Sequence, residues 1–187
     1  MALGRRELFQ TAYFVNDVEQ AVHRWNRLYG AGPFVVLPHH KFDTCQYRGR
    51  RLHPSEFPDL SYAMGYLGDL MIQFTAQHDD NPSVYRDMYT RGCEGFHHVA
   101  YLTGEFEAEY DRLVRMGVVA GCRFTGDGVE GAYFDTRAET GCFTEIHSNQ
   151  KHLLDAFASW RRAHELFKPG DSVIIGGSAD AEPLRSV

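Results

Sequence analysis

The feature that most constrains this chain is an internal repeat at an offset of 88 residues, running from Gln10 to His98. Laid over one another, Gln10-Thr-Ala-Tyr-Phe-Val-Asn-Asp-Val-Glu19 and His98-Val-Ala-Tyr-Leu-Thr-Gly-Glu-Phe-Glu107 share alanine, tyrosine and glutamate at the same positions. Without a gap, Arg24 then meets Arg112 and Arg27 meets Arg115, while Trp25/Leu113 and Leu28/Met116 keep apolar character. A repeat of this length means that one supersecondary unit is used twice.

Each copy reads as a short β run, a helix-start signal (Asn16-Asp17 or Gly104-Glu105), and an amphipathic helix closed by Gly30 or Gly117. Val18, Ala21, Val22, Trp25 and Leu28 form the core stripe of the first helix; Phe106, Tyr110, Leu113 and Met116 form that of the second. Strands are expected at 33–37, 60–66 and 70–75 in the first half, with a loop-rich stretch from His39 to Pro58. In the second half they are expected at 119–124, 131–135 and 142–147. Turns at Gly68-Asp69 and Glu139-Thr140-Gly141 put a hairpin at the end of both halves.

The expected class is therefore α+β: two paired βαβββ modules forming a curved mixed sheet around a central site, plus a C-terminal helix. Module 1 spans about 8–80, a linking helix about 81–92, module 2 about 95–150, and the terminal helix and a Gly-, Ser- and Ala-rich tail 151–187, all one domain. A chain of 187 residues that is 43% hydrophobic can bury a core for that arrangement. Net charge is −6 and the arginines fall in scattered pairs, which argues against nucleic acid as a partner. No run approaches the ~20 apolar residues of a membrane helix, and the first residues lack a signal-peptide core, so a cytoplasmic protein without a membrane partner is expected. The four cysteines stand singly, a spacing of buried reduced thiols rather than of a zinc site. Trp160 and Phe167 on the terminal helix suit a cover for an exposed sheet face or a homodimer contact.

A site at the junction of a duplicated fold should draw equivalent residues from the first and last strands of both halves. Gln10 and His98 occupy the first strands; Gln73 and Glu145 occupy the last, each interrupting an apolar run. One polar residue of this kind is ordinarily a satisfied core group. Four at matched positions, each carrying an unsatisfied-group cost of roughly 1–3 kcal/mol, point instead to a shared divalent cation. Strict alternation puts Gln10 with Ala12 and Phe14, and His98 with Phe96 and Ala100, and it turns His97 outward or against a loop.

The segments Gln10-Thr-Ala-Tyr-Phe-Val, Gly95-Phe-His-His-Val-Ala and Gly141-Cys-Phe-Thr-Glu-Ile resemble the vicinal oxygen chelate superfamily, over about residues 8–150. That superfamily includes glyoxalase I, methylmalonyl-CoA epimerase, extradiol dioxygenases and bleomycin-resistance proteins. The resemblance implies a curved sheet around a divalent ion held by Gln10, Gln73, His98 and Glu145, with Mn, Co, Ni, Mg, Zn or Fe not distinguished. Gln10 stands where an extradiol dioxygenase has histidine, and Gln73 where glyoxalase I commonly has a carboxylate able to move protons. The ligand pattern is nearest to those of methylmalonyl-CoA epimerase and glyoxalase I.

The implied chemistry is isomerisation, epimerisation or lysis through proton transfer beside a metal-polarised carbonyl of a small molecule, a thioester among the candidates. Glu145 and His147, which alternation puts on one face, are the candidate bases, ahead of Tyr133 and Asp135. His39, His40 and His53, with Tyr47, Arg50 and Arg51, lie in a loop read as solvated or as a lid over an anionic substrate. The alternatives are a non-catalytic binding protein of the bleomycin-resistance kind and an iron-dependent ring-cleaving dioxygenase.

Overall fold

A computed structural model describes residues 6–176 of the chain. Strand β1 (Leu8–Phe14) leads into helix α1 (Val18–Tyr29), whose start is fixed by the Asp17 carboxylate accepting from the Gln20 amide at 3.0 Å. Gly30 ends the helix at φ 71°, a left-handed conformation that favours glycine. Val18, Ala21 and Val22 are buried on its inner face, and Trp25 packs 4.9 Å from the Tyr13 ring and 5.4 Å from that of Phe74. Leu28 and its counterpart Met116 are more than half exposed, because the last turn of each helix overhangs the sheet. The first half continues through β2 (Phe34–His40), β3 (Thr44–Tyr47), β4 (Arg50–Arg51), β5 (Leu60–Leu67) and β6 (Leu70–Gln77). The second runs β7 (Gly95–Thr103), α2 (Phe106–Arg115), β8 (Val119–Gly126), β9 (Val129–Asp135), the one-turn α3 (Arg137–Thr140) and β10 (Phe143–Ser148). Helix α4 (Lys151–Leu166) follows.

One ten-stranded mixed sheet results, in the order β2-β5-β6-β1-β7-β10-β9-β8-β3-β4. The two modules are mirror images in this order and meet where β1 and β7 pair antiparallel; each central strand pairs parallel with the last strand of its own module. Helices α1 and α2 cover the convex face, over cores built on Phe34, Ile72 and Phe74 in one half and on Tyr101, Phe134 and Ile146 in the other. The concave face holds a second aromatic cluster around Phe14, Tyr85, Tyr133 and Phe143, and α4 lies against its rim through Phe157. No helix among the described residues is long and apolar enough to cross a membrane.

The β1–β7 seam departs from strict alternation at two places. Gln10 pairs with Ala100 and Ala12 with His98, but Leu8 pairs with Tyr101 and Tyr13 with Phe96. Phe9 and His97 are therefore the extra residues of two β-bulges, and the internal repeat relates one bulge to the other. The expected placement of Phe96 beside His98 is corrected here: Phe96 turns to the helix-covered face, its ring 5.5 Å from that of Tyr13. His97 is not outward-facing but fully buried, on the same side as His98.

Three further expectations change. Residues 81–90 form turns rather than a linking helix, because the Val84 carbonyl, which would accept from Met88 in a helix, is taken by the His97 ring at 3.1 Å. Met88 bonds to the Tyr85 carbonyl instead. The stretch 39–58 is not an open loop: β3 pairs with β8, placing Thr44 opposite Thr125 and Tyr47 opposite Cys122, so that an insertion in the first module extends the sheet of the second. His53 caps a 3₁₀ turn at Pro54–Glu56, and His39 pairs with Asp59 at 2.8 Å. After α4 the chain returns to the edge of β2, where the amide of Phe34 bonds to Val173 and that of Ile175 to Phe34; the tail beyond 176 lies outside the described residues.

On α2, Glu109 is buried and gripped by Arg112, by Arg6 at 2.7 Å and by the Tyr101 hydroxyl at 2.6 Å. The Arg112 guanidinium first, then Arg6, hold its carboxyl far below the usual carboxylate range. A carboxylate with a depressed folded-state pKa contributes stability above its unfolded value of ~4.3 and loses it as pH falls. Glu109→Gln should thus destabilise the fold by about 2 kcal/mol at pH 7 in urea denaturation, and the gap from the parent should close as the pH is taken below 4.

Candidate functional site

The register fixes which side chains share the concave face. Gln10 lies opposite Ala100, Ala12 opposite both His98 and Gln73, and Glu145 opposite Ala100 and Tyr133. Gln10, Gln73, His98 and Glu145 therefore point to one side of the sheet from four adjacent strands, on a bed of the two fully buried alanines. All four are buried. Gln10, Gln73 and Glu145, with His147 beside them, line the floor of a cleft enclosing about 830 Å³, open solvent at its mouth included. His98 has no exposed surface and meets the cleft only through Glu145.

The sheet ties each amide at its nitrogen: Gln10 Nε2 donates to Met71 Sδ at 3.3 Å and Gln73 Nε2 to Thr75 Oγ1 at 3.2 Å. The amide oxygens make no hydrogen bond among the described residues. His98 Nε2 lies 3.1 Å from Glu145 Oε2 without the alignment of a hydrogen bond, and so is a buried polar atom lacking a hydrogen-bond partner.

The tautomer of His98 follows from its neighbour. His97 Nε2 faces the Val84 carbonyl at 3.1 Å; a carbonyl only accepts, so this nitrogen carries a proton. Burial, and then the adjacent His98 ring, push the His97 pKa well below its ordinary value, so the ring is neutral and its Nδ1 carries a lone pair. That Nδ1 is 2.8 Å from His98 Nδ1, which must donate. His98 Nε2 is then the nitrogen left facing the carboxylate. His97 is itself held between the Phe143 ring, stacked at 5.1 Å, and the Tyr85 ring at 4.4 Å. Sequence reasoning missed this supporting histidine because it assumed unbroken alternation. The His97-His98 pair, repeating Phe9-Gln10, is the signal that a bulge recurs.

Glu145 stays ionised in this setting. Burial raises its carboxyl pKa, but the adjoining His98 ring, His147 and the Tyr133 phenol outweigh burial and leave it below the usual value. Tyr133 and Tyr85 share a 3.0 Å hydrogen bond, and burial pushes both phenols upward, so they remain protonated donors beneath the carboxylate. His147 Nδ1 donates to the Ser148 carbonyl at 3.0 Å, which leaves Nε2 as the nitrogen available to exchange a proton. Asp135, the weaker candidate base, is instead paired with Arg137 at 2.6 Å, away from the cleft. Of the loop histidines, His40 lines the cleft, while His39 and His53 make the local contacts described above.

With this geometry, the comparisons with known proteins fall into place. The family model described as glyoxalase/bleomycin resistance protein/dioxygenase superfamily matches residues 9–134. The chain belongs to that superfamily. No curated protein matches it in sequence. Among solved structures, methylmalonyl-CoA epimerase from Mycobacterium tuberculosis is similar at a TM-score of 0.55 and 16% identity, covering 79% of this chain and 91% of the epimerase. A hypothetical protein from Bacillus halodurans C-125 is similar at a TM-score of 0.57 and 16% identity, covering 79% of this chain and 97% of its own. At such identities the likeness is one of fold. The superfamily match includes Gln10, Gln73 and His98 and ends before Glu145. Among the described residues, no three His, Cys, Asp or Glu side chains cluster as a metal site.

Long-range ¹H–¹⁵N spectra of the imidazoles test the tautomer assignment. His97 should be protonated at Nε2 and His98 at Nδ1, and His97→Phe, which keeps the ring stack but removes the acceptor, should shift His98 towards a mixture; protonation of metal-free His98 at Nε2 alone would refute the arrangement.

Proposed function

We propose that the protein is a metal-dependent isomerase, epimerase or lyase that moves a proton beside the carbonyl of a small molecule. The observation that carries this reading is the orphaned His98 Nε2 facing the ionised Glu145 carboxylate at 3.1 Å. Two electron-rich atoms at that distance repel unless a proton or a metal ion lies with them, and the pair lacks the alignment that a shared proton takes. With the Gln10 and Gln73 amide oxygens on the same face, the donors are one imidazole, one carboxylate and two neutral oxygens, a set that fits Mn, Co, Ni, Mg, Zn or Fe(II). A divalent ion held there would supply Lewis-acid polarisation of a substrate carbonyl, worth several kcal/mol of charge stabilisation.

The chain's own residues divide the remaining work. Tyr133 orients the Glu145 carboxylate, and His97 keeps the His98 lone pair on Nε2. His147 is the better base: it lies two residues along the same strand face, lines the cleft, and has its Nε2 lone pair fixed by the Ser148 bond. Glu145, committed to His98, orients and anchors. The aromatic walls lower the polarity around the reacting carbon, which strengthens each electrostatic contact inside. The second reading, a binding protein of the bleomycin-resistance kind, draws support from those same apolar walls.

Metal analysis of chelator-stripped protein reconstituted with manganese or cobalt separates the two. One ion per chain is expected; His98→Ala and Glu145→Ala should abolish stoichiometric binding, His97→Phe should weaken it 10- to 100-fold, and His147→Gln should leave it intact. A parent protein that takes up no stoichiometric metal would sink the enzymatic reading and leave the binding one.

A further inference from the structure

The two sides of the cleft differ in chemistry from its floor. Against the sheet, Phe124 and Tyr133 stack at 5.9 Å; on the opposite side, Phe9 stacks on Phe157 at 5.4 Å and Phe157 meets Trp160 at 5.5 Å. All of these rings line the cleft, so a ligand within it lies between two ring-faced walls. The bulge at Phe9 is what adds that ring to the wall, since unbroken alternation would turn Phe9 away from Gln10. Helix α4, the source of Phe157 and Trp160, is tied at both ends: His152 donates to the Asp127 carbonyl at 3.0 Å and His164 accepts from the Gly68 amide at 3.2 Å. The second wall is thus a fixed part of the site rather than a passing contact.

We infer that the substrate of this cleft is an uncharged ketone or aldehyde with a flat apolar ring body, its carbonyl on the Gln10, Gln73 and Glu145 floor. The inference rests on the reading of that floor given above and narrows its substrate class. Paired rings 5–6 Å apart offer stacking surfaces worth ~0.5–1.5 kcal/mol per aromatic pair beyond area burial. Charge selects against the alternatives. The largely exposed Asp127 carboxylate lines the cleft, and burial holds His40 beside it below its ordinary pKa. Among the described residues, no lysine or arginine lines it. The phosphates of a coenzyme A thioester would be desolvated between these walls without a lysine or arginine partner, which is costly.

Calorimetric titration of the full-length chain with 2-acetylnaphthalene and, separately, with acetyl-CoA tests the inference. The ketone should bind saturably and at least tenfold more tightly than acetyl-CoA. Trp160→Ala should weaken it roughly tenfold, equivalent to ~1.4 kcal/mol, and Ala156→Trp, which fills the cleft from α4, should weaken it further, in proteins whose circular dichroism matches the parent. Acetyl-CoA binding as tightly as the ketone, ketone binding indifferent to both substitutions, or no saturable ketone binding would each overturn the inference. Repeating the titration after chelator treatment separates it from the metal: ketone binding that survives supports the substrate class even in a chain that takes up no ion, whereas one ion per chain without ketone binding removes the class and leaves the metal reading in place.

Discussion

The antiparallel pairing of β1 with β7 is the contact on which the rest of the molecule depends, and its important property is that it is imperfect twice. A strand alternates faces with period two, so two neighbouring residues cannot both look inward without an extra residue in the ladder. The repeat supplies that residue at the same place in each copy, Phe9 in one and His97 in the other. One bulge sends an aromatic ring into the cleft wall beside Gln10, and the other puts a second imidazole against His98. A single irregularity, duplicated with the module, thereby serves apolar contact on one side of the seam and imidazole orientation on the other.

That imidazole pair joins parts of the chain distant in sequence. His97 draws the Val84 carbonyl out of any helical bond, which fixes the 81–90 segment as turns and seats Tyr85 under Tyr133. Tyr133 in turn supports Glu145. The polar floor is therefore held by a buried chain of donors and acceptors that begins in the connection between modules, and the connection is part of the site's architecture rather than a tether.

Much of this was legible in the sequence. The 88-residue offset identified both modules and matched Gln10 to His98, while Gln73 and Glu145 stood out as polar residues interrupting the apolar last strand of each half. Asp17 and Gly30 marked the limits of α1 through capping chemistry that is local in sequence. The bulges were not legible from alternation, because an extra residue shifts parity without changing composition; only the recurrence of Phe9-Gln10 as His97-His98 hints at them. Thr44–Tyr47 read as loop because its partner, β8, is supplied by the other module, and no local pattern reports a strand whose pairing lies some 80 residues away. The second half of the cleft wall was hidden for the same reason: the periodicity of α4 showed an apolar face without saying which face of the sheet would receive it.

The crossing of β3 into the sheet of the second module bears on how the molecule assembles. Two modules related by duplication would be expected to fold as two units that dock. Here, the first module's insertion forms the edge next to β8, and the chain beyond α4 returns to edge β2 of the first, so each half carries structure supplied from beyond its own boundaries. Neither edge is complete until the whole chain has been gathered. Such long-range pairings raise contact order, a property that in general goes with slower folding. The module is used twice, but neither copy closes its sheet edge by itself.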